Sequence, residues 1–182
     1  MKHLIAIVLT TFVHTQPSWL TIHGSRQFSI SGVASFENGF LVVHDNKKMK
    51  QPRLSYLDRS FKLRKLIWPE TNLPYDLEAL HLMPGFANKF VAMESTGKAY
   101  IFLVDPFDFR IEILSTITLP GISNKMNLEG FAVFQSAQGT VFIYGDRGSN
   151  KRKSTLITAF FDPQNNKIDT IEKFIIDLPI PE

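Results

Sequence analysis

The chain has 182 residues, of which 44% are hydrophobic, 12% aromatic and 20% charged, enough for one domain with a proper core and too apolar for a disordered chain. Its formal net charge of +3 is a mild excess, much of it in two short clusters. The absence of cysteine excludes a disulfide scaffold and a thiolate metal site, and leaves the compartment open.

The first element is "MKHLIAIVLTTFVHTQPSW", in which Lys2 precedes a ten-residue apolar stretch, 4–13. That is the size of a signal-peptide core and too short to span a bilayer. Its best cleavage point, around Val13, His14 and Thr15, fits the small-residue rule poorly, and the alternative is a strand of the domain. Residues 1–16 are therefore read as a candidate signal peptide and 17–182 as the folded part. A signal peptide implies a secreted or periplasmic protein, and a strand implies a cytoplasmic one. No other segment approaches transmembrane length.

From residue 30 onward the sequence predicts strands only. Sixteen Phe, frequent Ile, Val and Leu, and ten Pro and ten Gly favour strands and turns. The predicted strands are 30–36, 40–44, 53–57 and 61–68; then 77–83, 89–94, 99–105 and 110–119; then 128–134, 141–144, 154–161 and 168–178. "PGFAN", "STGK", "DPFD" and "DPQNN" supply turns between them.

These twelve strands form an internal repeat. "ISGVASFENGFLVVHDN", "DLEALHLMPGFANKFVAMEST" and "NLEGFAVFQSAQGTVFIYGDR" align, with Ser31, Glu78 and Glu129 at one position, 47 and 51 residues apart. A period near 40–50 residues with strand signals alone points to propeller blades. The predicted fold is all-β: a β-propeller portion of about three four-stranded antiparallel blades, at 29–70, 76–120 and 127–179. A ring takes about 4–8 blades. Three blades leave two outer sheet faces bare, so the expectation is either a homodimer completing one ring or the N-terminal half of a longer protein.

The repeat gathers carboxylates. Ser31, Glu78 and Glu129 open the innermost strands, and the second strands run back to end at Asp45, Glu94 and Asp146. With Asp76, these acids are expected around one channel mouth, where they repel one another unless a cation or basic groups compensate. Oxygen ligands favour calcium or magnesium, with Asn127 a further carbonyl donor. Against the metal role stands a structural one, in which each acid bonds backbone amides and fixes blade register. The sequence leaves both open.

Two basic loops follow the second strands at equivalent positions: "NKKMK" with Lys47 and Lys48, and "RGSNKRK" with Arg147, Lys151 and Arg152. They read either as solvated loops or as a rim that holds an anionic ligand. They lack the interleaved aromatics of a nucleic-acid surface. His44, beside Asp45, and His81, near Glu78, are candidate bases, with packed strand residues as the alternative. No nucleophile elbow, phosphate-binding glycine loop or H-E-x-x-H motif is present.

"ISGVA", "YDLEAL" and "MNLEGFA", in that order, resemble the blade-opening motifs of the phytase-like propeller family, the group described by an esterase-like activity of phytase. The resemblance spans about residues 29–179. It implies a propeller, often secreted, with channel-facing acids that bind calcium, and more weakly a hydrolase. Ser31 departs from the pattern by standing where an acid would add a ligand, and blades beyond the third lie outside this sequence. The expected function is thus a calcium-dependent ester or phosphoester hydrolase, or a binder of small anionic ligands. The alternatives are a non-catalytic scaffold for a protein partner and a truncated fragment without function.

Overall fold

The computed structural model describes residues 21–176. The candidate signal peptide lies outside the described residues. Twelve strands follow one short 3-10 turn, Arg26–Phe28. They form three four-stranded antiparallel sheets, each a simple meander. Sheet one comprises β1 (Gly32–Phe36), β2 (Gly39–Val43), β3 (Leu54–Asp58) and β4 (Leu63–Lys65). Sheet two comprises β5 (Leu77–Leu82), β6 (Lys89–Glu94), β7 (Lys98–Val104) and β8 (Ile111–Thr118). Sheet three comprises β9 (Leu128–Ser136), β10 (Gly139–Asp146), β11 (Ser154–Asp162) and β12 (Lys167–Ile176). The first strands, β1, β5 and β9, contact one another in sequence. The sheets therefore radiate from a common inner edge as the consecutive blades of a partial propeller.

The central sheet explains the uninterrupted apolar runs of the sequence. Side chains alternate across a strand, so a sheet with neighbours on both faces needs apolar residues at every position. In β6, Phe90 and Ala92 pack with Leu41, Val43 and Leu54 of sheet one, while Val91 and Met93 pack with Phe142, Tyr144 and Ile157 of sheet three. In β7, Tyr100 and Phe102 face the first sheet, and Ala99 and Ile101 face the third. Each fully buried Leu, Val or Phe contributes about 1.5–3 kcal/mol, against about 1 kcal/mol for a typical hydrogen bond, so these two interfaces dominate the stability.

The inner strands approach closely because small residues recur there. Gly32, Ala79 and Gly130 are register equivalents, paired with Val43, Met93 and Gly145 respectively. A Cβ added at Gly32 would lie 2.6 Å from the Leu80 backbone nitrogen in the next sheet. At Gly130 a Cβ would meet nothing within 4 Å. The third sheet's far side is open in keeping with this: Phe134 and Phe174 are about two-fifths exposed. The first sheet's far side is less bare than the sequence suggests. Val42, Ser55 and Leu57 lie outside the inter-sheet cores and are nonetheless buried, and Phe28 packs edge-on against His44.

Candidate functional site at the channel mouth

The pairing register gives Glu78 and Glu129 a common and special position. Leu77 pairs with Glu94 and Ala79 with Met93, which leaves Glu78 as the extra residue of a β-bulge. Leu128 pairs with Asp146 and Gly130 with Gly145, which leaves Glu129 in the same bulge one blade later. Bulges re-aim a side chain without ending a strand, and they concentrate at barrel rims and beside active sites.

The third equivalent residue behaves differently. Ser31 donates its hydroxyl to the Leu77 carbonyl at 2.5 Å and to the Val43 carbonyl at 3.2 Å, tying the first sheet to the second. The register-fixing role is therefore real, and a hydroxyl performs it. Ionised carboxylates cannot donate to a carbonyl, and Glu78 accepts no hydrogen bond from the described residues.

The acids of the second strands separate into two groups. Glu94 is buried and accepts bonds from the Tyr75 amide (2.8 Å), the Tyr100 hydroxyl (2.6 Å) and the Thr96 hydroxyl (2.9 Å). Asp146 is likewise buried, accepting from the Asn127 amide at 2.9 Å and forming a two-point ion pair with Arg152. Arg152 also donates to the Lys125 carbonyl, so it serves the loop fold. Both acids are thus engaged by the chain's own donors and cation. In sheet one the register places His44, one residue before Asp45, at the position of Glu94 and Asp146. The one-to-one match of Asp45 with those two acids thus slips by a residue. His44 is fully buried, with Nδ1 bonded to the Ser29 carbonyl and Nε2 to the Ser55 hydroxyl. Burial pushes its pKa down. It is a packed strand residue. The His81 ring turns its Nδ1 to the Leu82 carbonyl, and among the described residues it makes no hydrogen bond to Glu78.

What remains at the mouth is a group of four carboxylates and two cations. Asp76 adopts a positive φ of 58° and accepts from the Ser95 hydroxyl at 2.8 Å and from Lys47 at 2.9 Å. The ion pair raises the Lys47 pKa. Glu129 pairs with Arg147 at 3.1 Å and accepts from the Asn127 side-chain amide at 2.5 Å. Glu78, half-buried between them, has no such partner among the described residues. Desolvation first, then repulsion from Glu129, Asp76 and Asp45, pushes its pKa from 4.5 to about 7, with Lys47 offsetting part of the rise. A cleft of about 440 Å³ opens beside this group, lined by Arg26, Lys47, Lys48 and Asp45 together with Gln27, Asn46 and Gln51. Its lining carries three cations and one acid, which suits an anionic ligand. Lys48 and Lys151 are exposed and stand apart from the ion pairs that hold the acids.

Among the described residues no three His, Asp or Glu side chains converge as a ready ligand set for a metal. Asp76 and Glu129 are engaged by Lys47 and Arg147, so the chain compensates its own acids with bases. A calcium ion at the mouth would have to displace those two bases.

No protein-family model matches this chain, and a search of curated proteins finds no significant match. Among solved structures it is similar to the periplasmic gluconolactonase PpgL of Pseudomonas aeruginosa, with a TM-score of 0.50 and 15% identity over 81% of this chain. It is also similar to Sqt1 from Chaetomium thermophilum, with a TM-score of 0.50 and 14% identity over 82% of this chain. The match spans 41% of the first protein and 36% of the second. Identities this low show the shared fold alone. No helix among the described residues is long and apolar enough to cross a membrane.

Proposed function

We propose that the channel mouth is the acid–base site of a hydrolase acting on an ester, lactone or phosphoester of a small anionic molecule. The observation that carries this reading is Glu78: a bulged, half-buried carboxyl without a hydrogen-bond donor among the described residues, poised to titrate near neutrality. A general base works best with a pKa near the working pH. In its ionised form Glu78 takes a proton from water as the water oxygen bonds to the ester carbon or phosphorus. As the bond to the leaving oxygen breaks, the same proton passes to that oxygen, and Glu78 is ionised again. Lys47, Lys48 and Arg147 hold the substrate's anionic group at the rim. The resemblance to the phytase-like family supports a hydrolase, and the gluconolactonase neighbour suggests lactones as the first compounds to assay. A secreted or periplasmic location follows if residues 1–16 are removed, which the N-terminal sequence of the exported protein reads directly.

The test is hydrolysis of sugar lactones, aryl esters and aryl phosphates by wild type and Glu78→Gln. The expected result is a loss of kcat/KM of about 10²-fold or more in the variant. Equal activity in the two proteins overturns the assignment, and no turnover by wild type returns the chain to a scaffold that binds a protein partner.

A second reading has a calcium ion at the mouth, favoured by the mutual repulsion of Asp45, Asp76, Glu78 and Glu129. It requires Lys47 and Arg147 to release Asp76 and Glu129. Calcium then raises the melting temperature of wild type, chelator lowers it, and Glu78→Ala with Glu129→Ala abolishes the shift. The acid–base reading expects no calcium shift.

A further inference from the structure

We propose that the far face of sheet one is a docking surface for the chain's own N-terminal apolar stretch, residues 4–13. This surface is distinct from the channel mouth, and its occupant is independent of the hydrolase reading.

Three side chains mark the face as covered. Leu41, Val43 and Leu54 point toward sheet two and join the core there. Val42, Ser55 and Leu57 alternate with them along β2 and β3 and point the other way. Among the described residues no sheet packs on that side, since sheet two lies on the opposite face. Val42 and Ser55 are nevertheless 0% exposed and Leu57 5% exposed. Their in-plane neighbours do not account for this. Val42 is flanked by Val33 and Ser55, and Ser55 by Val42 and Lys65. Val33 is itself 57% exposed, and Lys65 is exposed. On the bare face of sheet three, Ile143, Leu156 and Thr158 hold comparable places on the two middle strands and keep part of their surface open. Val141 is buried there, but between the rings of Phe134 and Phe160. Val42 and Ser55 have no such flanks.

The chain brings its N-terminal side to this face. The Gln27 carbonyl accepts from Asn46 Nδ2 at 2.7 Å, His44 Nδ1 bonds the Ser29 carbonyl at 3.0 Å, and Phe28 meets the His44 ring edge-on. These anchors lie at the mouth end of β2. Leu57 pairs with Phe40, about 13 Å further along that strand. Residues 21–30 are mostly exposed, with Ile22 and Phe28 half-buried. The cover over Leu57 is therefore assigned to residues that precede Thr21. The stretch "LIAIVLTTFV", 4–13, suits it: eight apolar residues, two threonines and no charge. Ten residues span about 15 Å as a helix and about 33 Å extended, enough to cross β2 and β3 in either form. Val33 and Ser35 stay exposed, so β1 is left open. The residues after Ile176 follow β12, two blades away, and include two prolines.

The test uses single cysteines, which the cysteine-free chain permits. Ser55→Cys, Ser35→Cys and Ala92→Cys are made separately in the full chain and labelled with a small maleimide. Ser35 is exposed on the same face, and Ala92 is buried between sheets one and two. The expected result is that Ser55→Cys reacts about tenfold or more slowly than Ser35→Cys. Adding Ile7→Asp with Leu9→Asp brings the Ser55→Cys rate close to that of Ser35→Cys and leaves Ala92→Cys protected. Leu57→Cys gives the same comparison if Ser55→Cys does not fold. The proposal is overturned if Ser55→Cys reacts rapidly in the intact chain, or if its protection survives the two aspartates or the loss of residues 1–16. It is also overturned if protection fades on dilution, which makes a second copy the cover. Exposure of Ala92→Cys by the aspartates overturns it as well, because the stretch would then belong to the core and not to a docked cover.

Discussion

Ser31 and Glu78 occupy the same place in consecutive blades, and they do opposite things. The Ser31 hydroxyl bridges to the Leu77 carbonyl of the next sheet at 2.5 Å, while the Glu78 carboxyl stands in a bulge with no donor bonded to it among the described residues. A structural device that recurs in every blade would look alike in every blade. Here the register bond belongs to the serine, Glu129 is held by Arg147 and Asn127, and Glu78 is left for another task.

Glu78 makes stability depend on pH in an unusual direction for an acid. Its folded pKa is raised from 4.5 to about 7, so the folded state holds its proton more tightly than the unfolded chain does. The contribution is fully present below pH 4.5 and is lost as pH rises through 7. After discounting for solvent screening of a half-exposed group, the loss is about 1–2 kcal/mol. Denaturant melts at several pH values should show this decline in wild type and its absence in Glu78→Gln.

His44 acts on the acid side. Burial lowers its pKa below 6.5, so below that value the unfolded chain takes up the proton first. Stability therefore falls as pH drops from 6.5 toward the lowered folded value. His44→Gln keeps a donor and an acceptor and should flatten that limb in the same melts.

Glu94 should be a stability residue. Glu94→Ala strips the acceptor from the Tyr100 hydroxyl and the Tyr75 amide, and is expected to cost about 2–4 kcal/mol in urea melts. Glu94→Gln should cost less, because its carbonyl still accepts. Glu129→Gln, at an exposed position, should change stability by less than about 0.5 kcal/mol while lowering the Glu78 pKa.

The inner glycines should respond unequally. Gly32→Ala forces a Cβ to 2.6 Å from the Leu80 nitrogen and should destabilise by about 1–3 kcal/mol. Gly130→Ala meets open space in this chain and should be neutral within about 0.5 kcal/mol. A cost at Gly130 as large as at Gly32 would reveal a further blade packed on the third sheet in solution.

Much of the fold was legible because blade-forming strands carry their signal locally. The sixth strand, 89–94, coincides with β6, and the eighth, 110–119, brackets β8 (Ile111–Thr118) by one residue at each end. The equivalence of Glu78 and Glu129 was also legible, since "LEA" and "LEG" repeat. The bulge was not, because an extra residue shows only against its partner strand. Nor was the withdrawal of Glu94 and Asp146 into internal networks. Each meets its Tyr100 or Arg152 partner across a hairpin, and strand-end position alone does not reveal that contact. Asp45 was matched to those acids by its place after an apolar run, whereas the hydrogen-bond register assigns that place to His44.

Glu78 holds a proton near neutrality because burial in its bulge and the like charges of Glu129, Asp76 and Asp45 both disfavour the ionised form, and no described residue donates to it. Its carboxyl carbon, followed by NMR in isotopically labelled protein as pH is varied, tests this most directly. The expected midpoint is about 7 in wild type, and lower in the double variant Asp45→Asn with Glu129→Gln but still above 4.5, because burial and Asp76 continue to disfavour the charge. A wild-type midpoint near the ordinary 4.5 would contradict the claim.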